Sequence, residues 1–126
     1  MTWRRLLILL GIVATIVQCY GLYGPAGTPS APGLPLDKVA HVLGFALPVG
    51  LFVAARIDWR WVAAVAVGQA LVSEFVQGAL LPERTADPLD LLADGIGILL
   101  GVAAGLMFAR RVGGRRSADS GDFAEP

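Results

Sequence analysis

Apolar residues gather in four long runs, separated by short polar or Gly/Pro-rich stretches. The runs cover Leu6–Tyr23, Val39–Ala55, Trp61–Leu81 and Leu89–Ala109. A helix that spans a bilayer needs about 17–25 predominantly apolar residues, and each run falls within that range. The pattern therefore predicts an all-α membrane protein, a four-transmembrane-helix bundle.

The composition supports a membrane domain. Of the 126 residues, 56% are hydrophobic, which is more apolar surface than a soluble domain this short could bury. We expect one membrane domain at 1–112, with the lipid bilayer as its partner, and a disordered cytoplasmic tail at 113–126. The net charge is zero and no basic face remains unexplained by topology, so nucleic acid is not an expected partner. The single Cys19 excludes an intrachain disulfide and a CxxC motif.

Basic residues indicate the orientation of the spans. Eight of the ten Lys and Arg residues precede the first run, join the second to the third, or follow the fourth; Lys38 and Arg84 are the exceptions. Because cytoplasmic loops carry the positive excess, both termini are predicted to be cytoplasmic. The first run also fits a signal peptide, since Arg4 and Arg5 precede it. Its length and the lack of a clear cleavage site favour a retained span.

Apart from the arginines that indicate the topology, nearly every ionisable residue in or beside the runs falls at one end of the predicted bundle. Since consecutive spans alternate in direction, the start of the second run, the end of the third and the start of the fourth meet at the outer face. Charges at the bilayer centre cost about 2.5–3.5 kcal/mol each, and such residues usually mark a functional site. We therefore predict a polar pocket facing the outer leaflet, lined by Asp37, Lys38, His41, Glu74, Gln77, Arg84, Asp90 and Asp94.

Some polar and small residues have structural explanations. Asp87 and Pro88 suit the N-cap and first position of a helix. Capping cannot reach Glu74 or Asp94, so a functional or network role is favoured for these two. The spacing of Gly97, Gly101 and Gly105 is a repeated small-xxx-small pattern, which predicts close helix packing.

The ordered set of polar residues resembles a known family. Its elements are Asp37-Lys38-x-x-His41, Glu74-x-x-Gln77, Pro82-x-Arg84 and Asp90-x-x-x-Asp94-x-x-Gly97-x-x-x-Gly101. Together they resemble the VanZ-like family of small bacterial integral membrane proteins, over roughly half of the chain. Family members often have Asn where this chain has Asp94. The resemblance implies a multi-pass protein of the bacterial cytoplasmic (plasma) membrane. It also implies a link to glycopeptide antibiotic resistance, because the founding member is linked to teicoplanin resistance.

Three functional hypotheses follow. The favoured one is a non-enzymatic protein that binds a lipid or lipoglycopeptide and acts in the cell envelope. The alternative is a membrane-embedded enzyme acting on a lipid-linked cell-wall intermediate. Its candidate catalytic residues would be His41, Glu74 and Asp94, with Lys38 and Arg84 neutralising a phosphate. The third is a structural or proton-relay role, in which the buried network only sets helix register. The sequence requires no cofactor. A single histidine is fewer than a zinc site usually contains, so no metal site is predicted.

The orientation can be tested by labelling single cysteines in a Cys19→Ala background. Thr28→Cys and Glu83→Cys should react with a membrane-impermeant thiol reagent added to intact cells, because the predicted topology places both outside. Ser117→Cys should react only after the cells are lysed. Labelling of position 117 in intact cells would contradict the predicted topology.

Overall fold

The protein folds as four helices. The computed structural model describes residues 2–25, 36–81 and 86–119. The helices are α1 (Trp3–Tyr23), α2 (Leu36–Ala54), α3 (Trp59–Leu80) and α4 (Pro88–Asp119), and the described ranges contain no strand. Each helix includes a segment long and apolar enough to cross a membrane. The prediction of an all-α protein with four such helices is confirmed.

The helices extend beyond the apolar runs. Each begins one to three residues earlier than its run, and α4 continues to Asp119. Residues 113–119, which were assigned to a disordered tail, are therefore helical; residues 120–126 lie outside the described residues. Arg110 and Arg111 are good helix formers, and each glycine of the following pair costs only about 1 kcal/mol relative to Ala. Neither the charges nor the glycines are sufficient to end the helix.

The closest packing in the bundle is between α2 and α4. The predicted packing glycines of α4 lie against the backbone of α2. A Cβ atom added at Gly101 would lie 2.6 Å from the carbonyl oxygen of Ala46, and one added at Gly105 would lie 2.7 Å from that of Gly50. At Gly97 the corresponding contact is the carbonyl oxygen of Val42. No larger residue fits at these positions at the present helix separation.

The turn between α2 and α3 contains Arg56 in the left-handed region, with φ 63°. The N–H of Arg56 bonds the carbonyl of Val53, and the N–H of Ile57 bonds that of Phe52, the pattern of a Schellman C-cap. Gly usually occupies this position because a side chain there is strained. The Arg56 guanidinium donates to the carbonyl of Ala109 at 2.9 Å, and this bond ties the turn to α4.

The exterior of the bundle is apolar, as contact with lipid requires. Large hydrophobic side chains are more than half exposed on every helix, among them Val17 on α1, Leu47 on α2, Phe75 on α3 and Leu99 on α4. Among the described residues the hydrophobic core cluster is small: Leu22, Phe45, Val49, Val53, Ala66, Ala70 and Ile98. Since lipid removes the hydrophobic drive between helices, close packing has to hold the bundle together.

The substitution Gly101→Leu should separate α2 from α4. Overpacking a tight contact typically costs about 1–3 kcal/mol, so the folded fraction of purified protein should fall in a denaturant titration in detergent. Gly95→Leu is the matched control on the same helix, because a Cβ at Gly95 would meet nothing within 4 Å. Its free energy of unfolding should not fall, and should rise by up to about 1 kcal/mol, because a glycine within a helix is replaced by a better helix former. Equal losses in the two variants would contradict the packing argument.

Candidate functional site

Six ionisable residues from α2 and the start of α4 form one group, here called the polar cluster. It comprises Asp37, Lys38 and His41 with Asp87, Asp90 and Asp94. Residues four apart share one face of a helix, which places Asp37 with His41 and Asp90 with Asp94. The glycine contacts between α2 and α4 bring these two faces together. The end of the bundle at which α2 and α4 start is here called the polar end.

Lys38 is the cationic centre of the cluster. Its ammonium donates to Asp37 Oδ2 at 3.1 Å, to Asp87 Oδ2 at 2.6 Å and to Asp90 Oδ1. An ammonium has three N–H donors, and three carboxylates occupy them. Lys38 is therefore committed to the protein's own acids and is not a free cation for a phosphate.

His41 is oriented by Asp94. The Nδ1 atom of His41 lies 2.7 Å from Asp94 Oδ1, and a carboxylate accepts the proton of that nitrogen. The imidazole is 9% exposed and the Asp94 side chain is fully buried. This bond leaves the other ring nitrogen, Nε2, 3.7 Å from Asp90 Oδ2, beyond hydrogen-bonding distance. An Asn at position 94 would offer a similar acceptor, so Asp94 adds charge more than geometry.

Asp87 has two roles, of which the sequence indicated only one. Its Oδ1 accepts from the N–H of Leu89 at 2.9 Å, so Asp87 caps α4 as predicted. Its Oδ2 also binds Lys38, and this bond, followed by the one from Leu89, holds the pKa of the Asp87 carboxyl below its usual range. The sequence-predicted pocket omitted Asp87, although its position three residues before Asp90 places both on one helix face.

Glu74 caps a neighbouring helix. Its Oε2 accepts from the backbone N–H of Asp87 at 2.9 Å, while its buried Oε1 has no partner. The expectation that capping cannot reach Glu74 was wrong. The bond runs between helices, from Glu74 in α3 to Asp87, the residue that precedes α4. Glu74 thereby joins the polar cluster through the backbone.

Two other predicted pocket residues are not placed in the cluster. Gln77 is buried, and its Nε2 donates to the carbonyl of Leu22 at 3.0 Å. It binds the C-terminal part of α1, where helix carbonyls lack partners within the helix. Arg84 lies outside the described residues.

A separate cavity of about 310 Å³ lies between α1, α2 and α3. Its lining is mostly apolar, and none of the predicted pocket residues contributes to it. Thr15, Gln18 and Gln69 are its polar members. Gln18 is 7% exposed, and its Nε2 donor has no partner.

The polar cluster is rich in acceptors and poor in free donors. Asp94 Oδ2 and Glu74 Oε1 are buried without a hydrogen-bond partner, and an unmatched buried acceptor costs about 1–3 kcal/mol. Such atoms suit a ligand that supplies N–H or O–H groups.

The chain matches no protein-family model, no curated protein and no solved structure.

Removing the central cation should destabilise the protein. Lys38→Met leaves three neighbouring carboxylates without their shared donor. Since the Lys38 side chain is 29% exposed, we expect a loss of about 1–3 kcal/mol, less than the 3–5 kcal/mol of a fully buried pair. Denaturant titration in detergent measures the loss. In the double variant Lys38→Met/Asp90→Asn, at least half of the lost free energy of unfolding should be regained. No recovery would show that the loss of the ion pairs does not cause the destabilisation.

Proposed function

We propose that this chain is a VanZ-like protein of the bacterial cytoplasmic membrane that binds an amphiphilic envelope molecule, a lipid or a lipoglycopeptide. Both termini are cytoplasmic, so the polar end faces the outer leaflet. The observation that carries the proposal is the pair of buried, unmatched acceptors, Asp94 Oδ2 and Glu74 Oε1, beside the charged cluster. A head group bearing hydroxyl or amine donors supplies what these atoms lack.

The charge of the cluster limits the class of head group. Asp37, Asp87 and Asp90 already share Lys38, and further acids stand next to them. An anionic head group bound at the polar cluster would meet more negative than positive charge among the described residues. Sugar hydroxyls and amines, as found in glycolipids and lipoglycopeptides, match the acceptors without that repulsion.

The cavity provides space for the hydrocarbon part of such a molecule. It begins at Phe45, one helical turn or about 6 Å along α2 from His41, and continues past Phe52 to Ile57. Gln18 lies at the same level: a Cβ on Gly44 would be 3.7 Å from its Cγ. Its free amide donor suits the ester or amide carbonyl that joins a polar head to a fatty chain.

A membrane-embedded enzyme acting on a lipid-linked cell-wall intermediate is the second candidate. One observation favours it: Asp94 fixes the ring of His41 and leaves Nε2 unbonded, the arrangement of an oriented general base. Against it, Lys38 is committed to carboxylates, so it does not neutralise a phosphate. We rank binding above catalysis for that reason.

The proposal predicts loss of function without loss of protein. In a deletion strain, complementation with Glu74→Gln or His41→Ala should fail to restore the wild-type phenotype, measured as teicoplanin susceptibility and as the membrane lipid profile. Glu74→Gln keeps an oxygen that can accept from Asp87 N–H, so its abundance should match that of the wild type. Gln18→Leu should lose the same phenotype by removing the donor in the cavity.

The matched control is Asp58→Asn at the opposite end of the bundle. Asp58 caps α3 through the N–H of Arg60, and Asn caps helices about equally well. This variant should behave as wild type. If Glu74→Gln and His41→Ala also complement fully, the binding site is not at the polar cluster. Turnover of a lipid-linked substrate by purified protein, lost in both variants, would favour the enzyme.

A further inference from the structure

Three side chains of the polar cluster converge in the manner of metal ligands. One donor atom each from Asp37, His41 and Asp90 lies within 4.8 Å of the other two. Two donors bound to one ion, each about 2.1 Å from it, are at most about 4.2 Å apart. His41 Nε2 and Asp90 Oδ2, at 3.7 Å, already satisfy that limit. Asp37 is 60% exposed at the start of α2, where its side chain has room to rotate the remaining distance.

The surroundings of His41 distinguish this group from an ordinary acidic surface. Its imidazole is nine-tenths buried, and the Nε2 atom has no hydrogen bond within the described residues. The bond from Nδ1 to Asp94 holds the ring with Nε2 towards Asp90. Histidines that ligate metals almost always donate their other N–H to a carboxylate or carbonyl in this way, which fixes the tautomer and raises the basicity of the ligating nitrogen.

The cluster also carries more carboxylates than positive charges. Asp37, Asp87, Asp90 and Asp94 provide four carboxylates, whereas Lys38 provides one ammonium. Lys38 binds Asp90 through Oδ1 and leaves Oδ2 facing His41. Each carboxylate has two oxygens and can bind the ammonium and a second cation at the same time. A divalent ion would offset most of the remaining negative charge.

We propose that Asp37, His41 and Asp90 bind a divalent first-row metal ion, Zn²⁺ or Mn²⁺, and that Asp94 positions His41 for this role. One imidazole and two carboxylates form a mixed nitrogen and oxygen set. Imidazole suits zinc, carboxylates suit manganese, and neither calcium nor magnesium favours the nitrogen ligand. Three protein ligands leave a coordination position for water or for an oxygen of a bound molecule. The ion reaches the site from water past the exposed Asp37.

Titration of the purified protein tests the site. The full chain, freed of any polyhistidine tag and held in a neutral detergent, is titrated with ZnCl₂ and separately with MnCl₂ in a calorimeter. We expect one ion per chain for at least one of the two metals. His41→Ala, Asp37→Asn and Asp90→Asn should each weaken binding by more than about tenfold, since even second-shell changes cost about 10–100-fold. Asp94→Asn should cost about tenfold for that reason.

Asp87→Asn is the control that separates ligation from general charge. It removes the same single charge, from an acid that also binds Lys38 but lies outside the ligand set, and Asn preserves the cap of α4. This variant should bind within about threefold of the wild type, a difference well under 1 kcal/mol. If it weakens binding as much as Asp37→Asn and Asp90→Asn, the metal only follows the negative field and the site is refuted.

A spectroscopic measurement covers the case in which a variant fails to fold. X-ray absorption of the wild-type protein loaded with the metal that it binds should show an imidazole nitrogen at about 2.0–2.2 Å. Oxygen ligands alone, or no saturable binding of either metal, would overturn the proposal. The inference concerns the same cluster as the proposed function, but the titration contains no lipid or glycopeptide. Metal binding without a cellular phenotype, or the reverse, therefore tells the two proposals apart.

Discussion

The close approach of α2 and α4 determines the geometry of everything at the polar end. The glycines of α4 allow its backbone to lie against the carbonyls of Val42, Ala46 and Gly50, so the two helices are nearer than side chains would permit. Only at this separation does the short Asp90 side chain reach Lys38, and Asp94 reach His41. In a bilayer, where lipid competes equally for apolar surface, such close backbone contact is one of the sources of specific helix pairing, together with hydrogen bonds between helices. Packing in one half of the bundle thus sets distances in the other.

The polar cluster passes from water to protein interior within two helical turns. Asp37 is 60% exposed, the Asp90 side chain 10%, and Asp94 is fully buried. The field of a buried charge is weakly screened, whereas one at the rim is solvated. In the proposed binding role, the exposed acids would attract a polar or cationic species, and the buried pair of His41 and Asp94 would distinguish among those that enter. An ordinary surface salt bridge offers no such gradient.

Much of this arrangement could be read from the sequence because it depends on short-range periodicity. The four apolar runs, the cap at Asp87 and the facing stripes of α2 and α4 follow from spans of residues that share one helix face. What the sequence missed depends on contacts between helices. The bond from Asp87 N–H to Glu74, and the bond from Gln77 to α1, join residues whose relative height and rotation no local pattern specifies. The continuation of α4 to Asp119 was missed because the residues after Gly113 are polar and carry scattered charges, a composition typical of a disordered tail.

The order of synthesis gives the cluster a consequence for insertion into the membrane. Lys38 and His41 leave the ribosome 49 and 53 residues ahead of Asp87 and Asp94, their respective partners on α4. At about 5–20 residues per second, α2 exists for about 3–10 seconds before those partners are made. During that interval the neighbouring Asp37 is the carboxylate within reach of Lys38. The start of α2 must therefore stay hydrated or held by the insertion machinery until α4 arrives, so the cluster is completed only when α4 enters.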